Sequence, residues 1–151
     1  MNITQHVKNR EKIEEQEFTN LAPQLNIKTY KFTSTSERYD VKFRKNDMLY
    51  IAETKVREDK TCEYFNVHGP FLELKKIEGM YKVKQDLSTK GIHVNMQYIN
   101  VTKDGYQIYN LSEPWTYDFK WRWLPKDNYN KDVFIWKMVH ELQDPILTIM
   151  K

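Results

Sequence analysis

Three charged side chains, Asp40, Glu53 and Lys55, have the types and the spacing that phosphodiester chemistry requires. Asp40 lies in segment 38–44 and the other two lie in segment 48–57, and both segments alternate between apolar and polar residues. Alternation with a period of two is typical of β-strands, whose successive side chains point to opposite faces. Glu53 and Lys55 therefore share one face of the second strand, and Asp40 lies on the polar face of the first.

The residues between these two strands predict a β-hairpin. Asn46-Asp47 suits a two-residue turn, because both residue types tolerate a positive φ. In the resulting antiparallel register Asp40 stands directly opposite Glu53, at a position where Cβ atoms are about 4.5–5.5 Å apart. The hairpin thus brings two carboxylates together, with Lys55 two residues further along the same face.

The opposed carboxylates of Asp40 and Glu53 point to a bound metal ion. Like charges that face each other in a sheet repel, so a chain selected for stability alone would seldom pair them. Mg²⁺ or Mn²⁺ would remove this conflict, since magnesium takes one or two carboxylates together with waters and phosphate oxygens. Such a metal lowers the pKa of its bound water, and an ammonium group such as that of Lys55 stabilises developing negative charge. The three residues therefore predict a site for metal-assisted phosphodiester hydrolysis.

Residues 5–25 have the pattern of an amphipathic helix that ends near Pro23. Glu14 lies near the centre of its apolar face, where an unpaired carboxylate would be costly to bury. Glu14 is therefore a candidate third acid for the site, and Glu17, on the flank of that face, is the alternative. The apolar face consists of Val7, Phe18, Leu21, Ala22 and Leu25.

The rest of the chain predicts further strands and two more helices. A strand is expected at 27–33, a helix at about 70–87, and a second hairpin from 94–101 and 106–111. A final amphipathic helix is expected from about Lys131 to Gln143.

Segment 115–123 interleaves aromatic residues with cations. Strict alternation favours a strand that buries one row of rings against the core or against a partner. Aromatic stacking together with arginine contacts would also suit single-stranded or distorted nucleic acid. The row of rings consists of Trp115, Tyr117, Phe119, Trp121 and Trp123.

The paired acids and the lysine resemble the signature of the PD-(D/E)XK nuclease superfamily. That signature is an acid on the second core strand, followed after a hairpin by Glu-x-Lys on the third strand. Asp40 matches the first acid, with Tyr39 in place of the signature proline, and Glu53 and Lys55 match the second half. Many members add a glutamate on the first helix, which Glu14 matches.

The second predicted helix extends the resemblance. Segment 72–76, Leu-Glu-Leu-Lys-Lys, is similar to the Leu-Glu-x-x-Lys element of phage and resolvase-like members, with Glu73 and Lys76 as the charged pair. The resemblance covers roughly residues 10–110. It implies an α+β fold with an αβββαβ restriction-endonuclease-like core, in which helices flank a mixed central sheet. An extra β-hairpin and a C-terminal helix would follow, in a single domain 1–151 with a core at about 5–111 and an extension at about 112–151.

The resemblance also implies roles for individual residues. Asp40, Glu53 and Glu14 would hold Mg²⁺ or Mn²⁺ and, together with Lys55, form the catalytic set. The substrate would be nucleic acid, with DNA favoured over RNA. A structure-selective enzyme such as a Holliday-junction resolvase is one version, and a homodimer is one assembly that the resemblance allows. The side chains expected to contact substrate are Arg57, Lys42, Lys76 and Glu73.

Simpler interpretations stand beside each of these. The two acids could belong to a solvated strand face on which Lys42, Lys55 and Arg57 neutralise them as surface ion pairs. Glu73 and Lys76 could form only a helical i, i+3 pair. At the level of function, the alternatives are a non-catalytic nucleic-acid-binding or protein-assembly module on the same fold, and a structural protein whose acids are ordinary surface charges.

Composition narrows the class of protein without deciding the function. The net charge of +3 and the isoelectric point near 8.8 permit a nucleic-acid partner. One cysteine, Cys62, excludes an internal disulfide and a cysteine-based zinc site, and it is compatible with a reducing cytosol. The N-terminus shows no secretory signal and no segment has the length of an apolar membrane span, so we expect a cytoplasmic protein without a membrane partner.

Overall fold

A mixed six-stranded sheet forms the centre of the fold, and helices pack on both of its faces. The computed structural model of the protein describes residues 3–33, 37–126 and 132–151. The α+β class predicted from the sequence is confirmed. None of the helices in these ranges is both long and apolar enough to cross a lipid bilayer.

The described residues contain three α-helices, nine strands and two short 3₁₀ segments. The helices are α1 Ile3–Leu21, α2 Cys62–His68 and α3 Leu74–Ser88, and the 3₁₀ segments are Ala22–Leu25 and Pro114–Thr116. The strands are β1 Thr29–Phe32, β2 Val41–Lys45, β3 Met48–Arg57, β4 Phe71–Glu73, β5 Val94–Thr102, β6 Gly105–Leu111, β7 Lys120–Pro125, β8 Phe134–Glu141 and β9 Leu147–Met150.

The β2–β3 hairpin has the predicted turn and the predicted register. Asn46 and Asp47 form the turn with φ angles of 51° and 61°, the positive values that a two-residue hairpin turn of this kind needs. The ladder runs from the Lys45–Met48 pair at the turn to Val41 opposite Ala52. The next residues along this register are Asp40 and Glu53, so the hairpin brings the two carboxylates to the same end of the ladder.

Strand β3 is central because it pairs with β2 on one side and with β5 on the other. The β3–β5 pairing is parallel, and α3 lies in the connection between the two strands. The strand order of the sheet is β1-β2-β3-β5-β6-β9. Both faces of the inner strands are therefore covered, and Glu53, paired in register with Tyr98, is only 1% exposed.

The two faces of this sheet bury separate apolar clusters. On one face, Phe18 and Leu21 of α1 pack with Val41, Ala52 and Val56. The predicted apolar residues Phe18, Leu21, Ala22 and Leu25 are therefore in this cluster, whereas Val7 is not. Helix α1 ends at Leu21, and the 3₁₀ segment that follows it is capped by Asn26, whose φ is 57°. On the other face α3 covers the sheet, in a cluster that includes Ile51, Ile77, Met80, Met96 and Tyr98.

The predicted C-terminal helix at 131–143 is wrong. Residue 131 lies outside the described residues, and Phe134–Glu141 form strand β8 of a second sheet with the order β4-β8-β7. This segment is rich in aromatic and β-branched residues, which favour strands, and β7 and β4 pair with its two edges. The predicted helix at 70–87 begins later, at Leu74, because Phe71–Glu73 pair with β8.

The prediction that segment 115–123 buries one row of rings holds for Tyr117 and Phe119, which pack against the cluster on the α3 side, but burial in the core is wrong for the three tryptophans. Residues Pro114–Thr116 form a 3₁₀ turn and strand β7 begins only at Lys120. Trp115, Trp121 and Trp123 are 72%, 63% and 54% exposed. Trp121 and Trp123 lie on β7, the edge strand of the small sheet, and Trp115 lies on the 3₁₀ turn before it, where its ring contacts Tyr81.

Candidate active-site cleft

A cleft of about 180 Å³ lies between α1, the start of β2, the middle of β3 and α3. Its charged lining is unbalanced, with six carboxyl groups against three cations. A phosphate backbone would be repelled from such a cleft unless a cation were bound in it. The carboxyl groups belong to Glu11, Glu14, Glu15, Glu37, Asp40 and Glu53, and the cations are Arg10, Lys55 and Lys76.

Glu53 is a buried acid that is only half satisfied. Its Oε1 atom lies 3.5 Å from Nζ of Lys55 and 3.5 Å from Nζ of Lys76. Its Oε2 atom is buried and has no hydrogen-bond partner among the described residues. Burying an acceptor without a partner is costly, and more so for a charged group. One oxygen of this carboxylate is thus held by two ammonium groups, and the other is left free to bind a cation.

Asp40 lies beside Glu53 at the end of the hairpin ladder. Its Oδ2 atom accepts a 2.8 Å hydrogen bond from the backbone N–H of Thr54, which fixes the side chain towards β3. Burial raises the pKa of this carboxyl group from 3.8 to about 8, and the negative charges of Glu53 and Glu14 add to the effect. The electrostatic conflict predicted from the register is therefore present between these carboxyl groups.

Glu14 is the residue of α1 that reaches these acids. Burial raises its pKa from 4.5 to about 7; Lys55 opposes the shift and Glu53 adds to it. Glu17, the alternative considered from the sequence, lies elsewhere. It accepts a 2.9 Å hydrogen bond from the hydroxyl group of Tyr106, and its Oε1 atom lies 3.4 Å from Nζ of Lys151.

Lys55 stays protonated in this setting. Burial alone would lower its pKa, but Glu53 first and then the other acids of the cleft raise it above 10.5. Lys76 joins it from α3 through the contact with Glu53, so this predicted substrate residue does lie in the cleft. The ammonium groups of Lys55 and Lys76 therefore flank one buried carboxylate.

Three other residues predicted to contact substrate do not line the cleft. Arg57 donates a 3.2 Å hydrogen bond to the hydroxyl group of Tyr98, and Lys42 is exposed on β2. Glu73 lies 2.7 Å from Nζ of Lys137. The simpler interpretation of a Glu73–Lys76 pair is not observed either, because each residue has a different partner.

Arg10 of α1 is a cleft residue that the sequence analysis missed. It donates a hydrogen bond to the backbone carbonyl of Val56, and its Nε atom is buried with no partner among the described residues. Helical spacing could have found it, because residues 7, 10, 11, 14 and 15 form one stripe along α1. Glu37 gave no such signal, since it lies outside the regular elements.

The described residues do not provide the three-carboxylate metal site that the resemblance implies. Among the described residues, no group of three or more His, Cys, Asp and Glu side chains is arranged to hold a metal ion. The predicted set of Asp40, Glu53 and Glu14 is therefore not preassembled. Asp40 and Glu53 remain, with the unpartnered Oε2 atom of Glu53, and one or two carboxylates with waters are what Mg²⁺ usually takes from a protein.

A basic groove of about 510 Å³ adjoins this cleft and shares Glu37 and Lys76 with it. Arg38, Lys75 and Lys82 add three more cations, against which Glu78 is the further acid in the lining. Gly79 of α3 lets the segment that holds Arg38 approach, because a Cβ atom there would lie 3.3 Å from Cβ of Arg38. The groove therefore has four cations in its lining against two acids.

Comparison of the chain with protein-family models, with curated proteins and with solved structures finds no match.

Proposed function

We propose that the protein is a metal-dependent nuclease that hydrolyses phosphodiester bonds of DNA. The observation that carries this proposal is Glu53, a buried carboxylate with two lysines on one oxygen and no hydrogen-bond partner for the other among the described residues. If the cleft bound no ligand, this buried carboxylate would only lower the stability of the fold, because removing a charge from water is unfavourable. It is useful where a divalent cation and a negatively charged substrate meet.

Asp40 and Glu53 would hold the metal, and the hairpin register supports this role because it places both at one end of the ladder. A bound Mg²⁺ or Mn²⁺ supplies charge neutralisation and a more acidic water. Lys55 would stabilise the negative charge that develops on the phosphate, since it remains protonated and lies on the same face as Glu53. Lys76 would keep one oxygen of Glu53 in place and leave the other for the metal.

The basic groove would guide the nucleic-acid backbone to the acids. Arg38, Lys75 and Lys82 lie in this groove, and it meets the cleft at Lys76. Contacts of this kind position phosphates without reading sequence. Substrate choice would then depend on the shape of the nucleic acid, in keeping with a structure-selective enzyme.

The order of elements also supports the proposal. A helix, three antiparallel strands, a helix and a further strand follow each other as α1, β1–β3, α3 and β5, with short α2 and β4 inserted before α3. This is the order that the resemblance to the PD-(D/E)XK nucleases implies.

A second candidate is a nucleic-acid-binding module without catalysis. The observation in its favour is that no three-ligand group among the described residues is arranged for a metal, while the basic groove is present. Such a module would bind DNA through Lys75, Lys82 and Arg38 and would leave the backbone intact.

Cleavage assays separate the two candidates. Supercoiled plasmid, linear duplex, four-way-junction DNA and RNA are incubated with the protein in Mg²⁺, Mn²⁺ or EDTA. We expect metal-dependent cleavage of DNA that Asp40→Asn abolishes, whereas Asp59→Asn, an exposed acid outside the cleft, leaves it unchanged. Binding without cleavage of any substrate in either metal would instead establish the non-catalytic module.

A further inference from the structure

A polar side chain of strand β5 lies buried next to Lys55. Strand β5 pairs with β3 in parallel, and this register sets Asn100 directly beside Lys55. Residues paired in this way point to the same face of the sheet, and neighbouring strands lie about 4.8 Å apart. Asn100 is 0% exposed. The neighbour of Lys55 on β5 is therefore a carboxamide that water does not reach.

The amide group of Asn100 is held from the side of β6. Its Nδ2 atom donates a 3.3 Å hydrogen bond to Oε1 of Gln107, on the strand that pairs with β5 on the side away from β3. Gln107 is held in turn, because its Nε2 atom donates a 2.7 Å hydrogen bond to Oδ1 of Asn66 in α2. The donor half of the Asn100 amide is therefore occupied towards β6, and Oδ1 is the atom that remains for a group on another side.

Oδ1 of Asn100 has no hydrogen-bond partner among the described residues, although it is buried. A buried acceptor without a donor destabilises a fold. Lys55 has donors to spare, because an ammonium group carries three N–H bonds and its ion pair within the described ranges is the 3.5 Å contact with Oε1 of Glu53. An unused acceptor and an incompletely used donor thus occupy neighbouring positions of one ladder.

The contact between Lys55 and Glu53 would weaken once Glu53 binds a divalent cation, because the two positive charges repel. We infer that Asn100 is a positioning residue for Lys55: with a cation on Glu53, the ammonium group turns to Oδ1 of Asn100 and stays beside the cleft. Lysine suits this exchange, since its stem is flexible and its three donors rotate. The inference rests on the proposed function for the cation, and it deepens that function by naming what holds the lysine.

The hydroxyl group of Tyr98 is the competing acceptor, since Tyr98 is buried on the same face of β5, two residues before Asn100. Its oxygen already accepts a 3.2 Å hydrogen bond from Nη2 of Arg57. A second cation on that oxygen would be repelled by the guanidinium group. Asn100 has no cation on Oδ1, so it is the better acceptor for Lys55.

The first test compares two substitutions of Asn100 in single-turnover cleavage of a labelled branched DNA with Mg²⁺. Asn100→Asp keeps an acceptor for Lys55 and loses the donor to Gln107, whereas Asn100→Leu loses both. We expect Asn100→Leu to cut roughly 10–100-fold more slowly at saturating DNA, since misplacement of a catalytic group costs up to about 10²-fold. Asn100→Asp should cut nearly as fast as the wild type, and DNA affinity in Ca²⁺ should be the same in all three.

Equal losses of rate in the two variants would assign Asn100 to the hydrogen bond with Gln107 and overturn the inference. Thermal melts show which variants fold, and Asn100→Ala replaces Asn100→Leu if the latter does not.

Gln97 provides the matched control. Its Nε2 atom donates a 3.0 Å hydrogen bond to Oδ1 of Asn110, across the same two strands. Gln97 and Asn100 are three residues apart along β5, so their side chains lie on opposite faces of the sheet. Gln97→Leu should therefore leave the cleavage rate unchanged. A loss as large as that of Asn100→Leu would show that the effect has nothing to do with Lys55.

A second readout needs no cleavage. In protein labelled with ¹⁵N-lysine, the ammonium signal of Lys55 is identified by its absence from Lys55→Ala. With Mg²⁺ and no DNA, we expect the wild type to keep a signal protected from exchange with water, and Asn100→Leu to lose it. In EDTA both proteins should keep it, because Glu53 then holds the lysine. The inference fails if Mg²⁺ removes the wild-type signal, if Asn100→Leu keeps the signal in Mg²⁺, or if Tyr98→Phe loses it while Asn100→Leu does not.

Failure of the two proposals can be told apart. If the wild type cuts no substrate with Mg²⁺ or Mn²⁺ but its Lys55 signal in Mg²⁺ depends on Asn100, the positioning role stands and the nuclease proposal fails. If the wild type cuts DNA and Asn100→Leu cuts as fast with the same Lys55 signal, the nuclease proposal stands and the positioning role fails.

Discussion

Nζ of Lys76 on α3 lies 3.5 Å from Oε1 of Glu53 on β3, so one ion pair joins the crossover helix to the central strand. Lys55 reaches the same oxygen from within β3, also at 3.5 Å. The two lysines differ in what they can contribute. Lys76 holds one oxygen of a buried carboxylate from α3, and Lys55 is the cation to which we assign stabilisation of the charge that develops on the phosphate.

Lys76→Ala should destabilise the metal-free protein by roughly 1 kcal/mol. The side chain of Lys76 is 43% exposed, so solvent screens the pair and the effect stays small. Urea unfolding in EDTA measures it, and a double-mutant cycle with Glu53→Gln isolates the pair. The loss should shrink by more than half in the Glu53→Gln background, and Lys75→Ala, its exposed neighbour on α3, should have little effect in either. An equal loss in both backgrounds would show that Lys76 acts through something other than Glu53.

The metal-free protein should lose stability as the pH rises from about 4 to about 8. Asp40 and Glu14 have folded-state pKa values raised to about 8 and about 7, above their usual 3.8 and 4.5. The folded protein therefore keeps protons that the unfolded chain has released in this range, and stability falls until the pH passes the folded pKa values. Thermal melts in EDTA at several pH values test this. Asp40→Asn should flatten the decline, and parallel curves for wild type and variant would contradict the assignment to Asp40.

Magnesium should stabilise the wild type and should do little for Asp40→Asn. In the absence of metal the substitution removes a carboxyl group whose ionisation the fold opposes through burial and the neighbouring acids, so the variant should melt slightly higher than the wild type near neutral pH. With Mg²⁺ the order should reverse, because a ligand that binds only the folded state raises its stability. Melts with EDTA and with increasing Mg²⁺ measure both effects. A metal-induced shift of the same size in the two proteins would mean that Asp40 is not part of the metal site.

Lys55→Ala should reduce cleavage by about 10²–10³-fold and leave DNA binding nearly intact. The ammonium group acts where negative charge develops in the transition state, and loss of one such donor has an effect of about this size. Phosphate contacts along the groove should preserve ground-state affinity. Single-turnover cleavage of a labelled branched DNA, beside a binding titration in Ca²⁺, separates the two quantities. Lys90→Ala, an exposed lysine after α3, is the control, and a parallel loss of binding and cleavage in Lys55→Ala would assign Lys55 to substrate affinity instead.

The site was predictable where its geometry is local in the chain. Alternation of apolar and polar residues and the turn at Asn46 and Asp47 were enough to predict the register that opposes Asp40 and Glu53. Glu14 could be predicted because helical spacing places it on the inner stripe of α1. Lys76 was predicted as a site residue only because segment 72–76 resembles an element of the nuclease superfamily. Nothing in the sequence of α3 itself shows that the ammonium group of Lys76 reaches β3.

The sequence predictions failed for segments whose structure depends on contacts with residues that are distant in the sequence. Residues 134–141 have apolar positions that suit either period, and only the edges offered by β4 and β7 make them a strand. The exposure of Trp121 and Trp123 could not be predicted either. Alternation predicts a strand with an aromatic face, but it does not show whether another element covers that face. The contact between Glu73 and Lys137 joins residues far apart in the chain and gave no sequence signal.

The hairpin also suggests an order of assembly for the site. Asp40 and Glu53 meet across a two-residue turn, and short loops close quickly and with little entropy loss. Glu53 becomes buried only when β3 pairs in parallel with β5. That pairing requires the crossover segment that contains α3 to fold first. We therefore expect folding to bring the two carboxylates together while both are still hydrated, and to remove the water in a later step. Folding kinetics of Ala52→Gly in β3 and Ile77→Val in α3 would show this order as a higher φ-value in the hairpin than in the crossover helix.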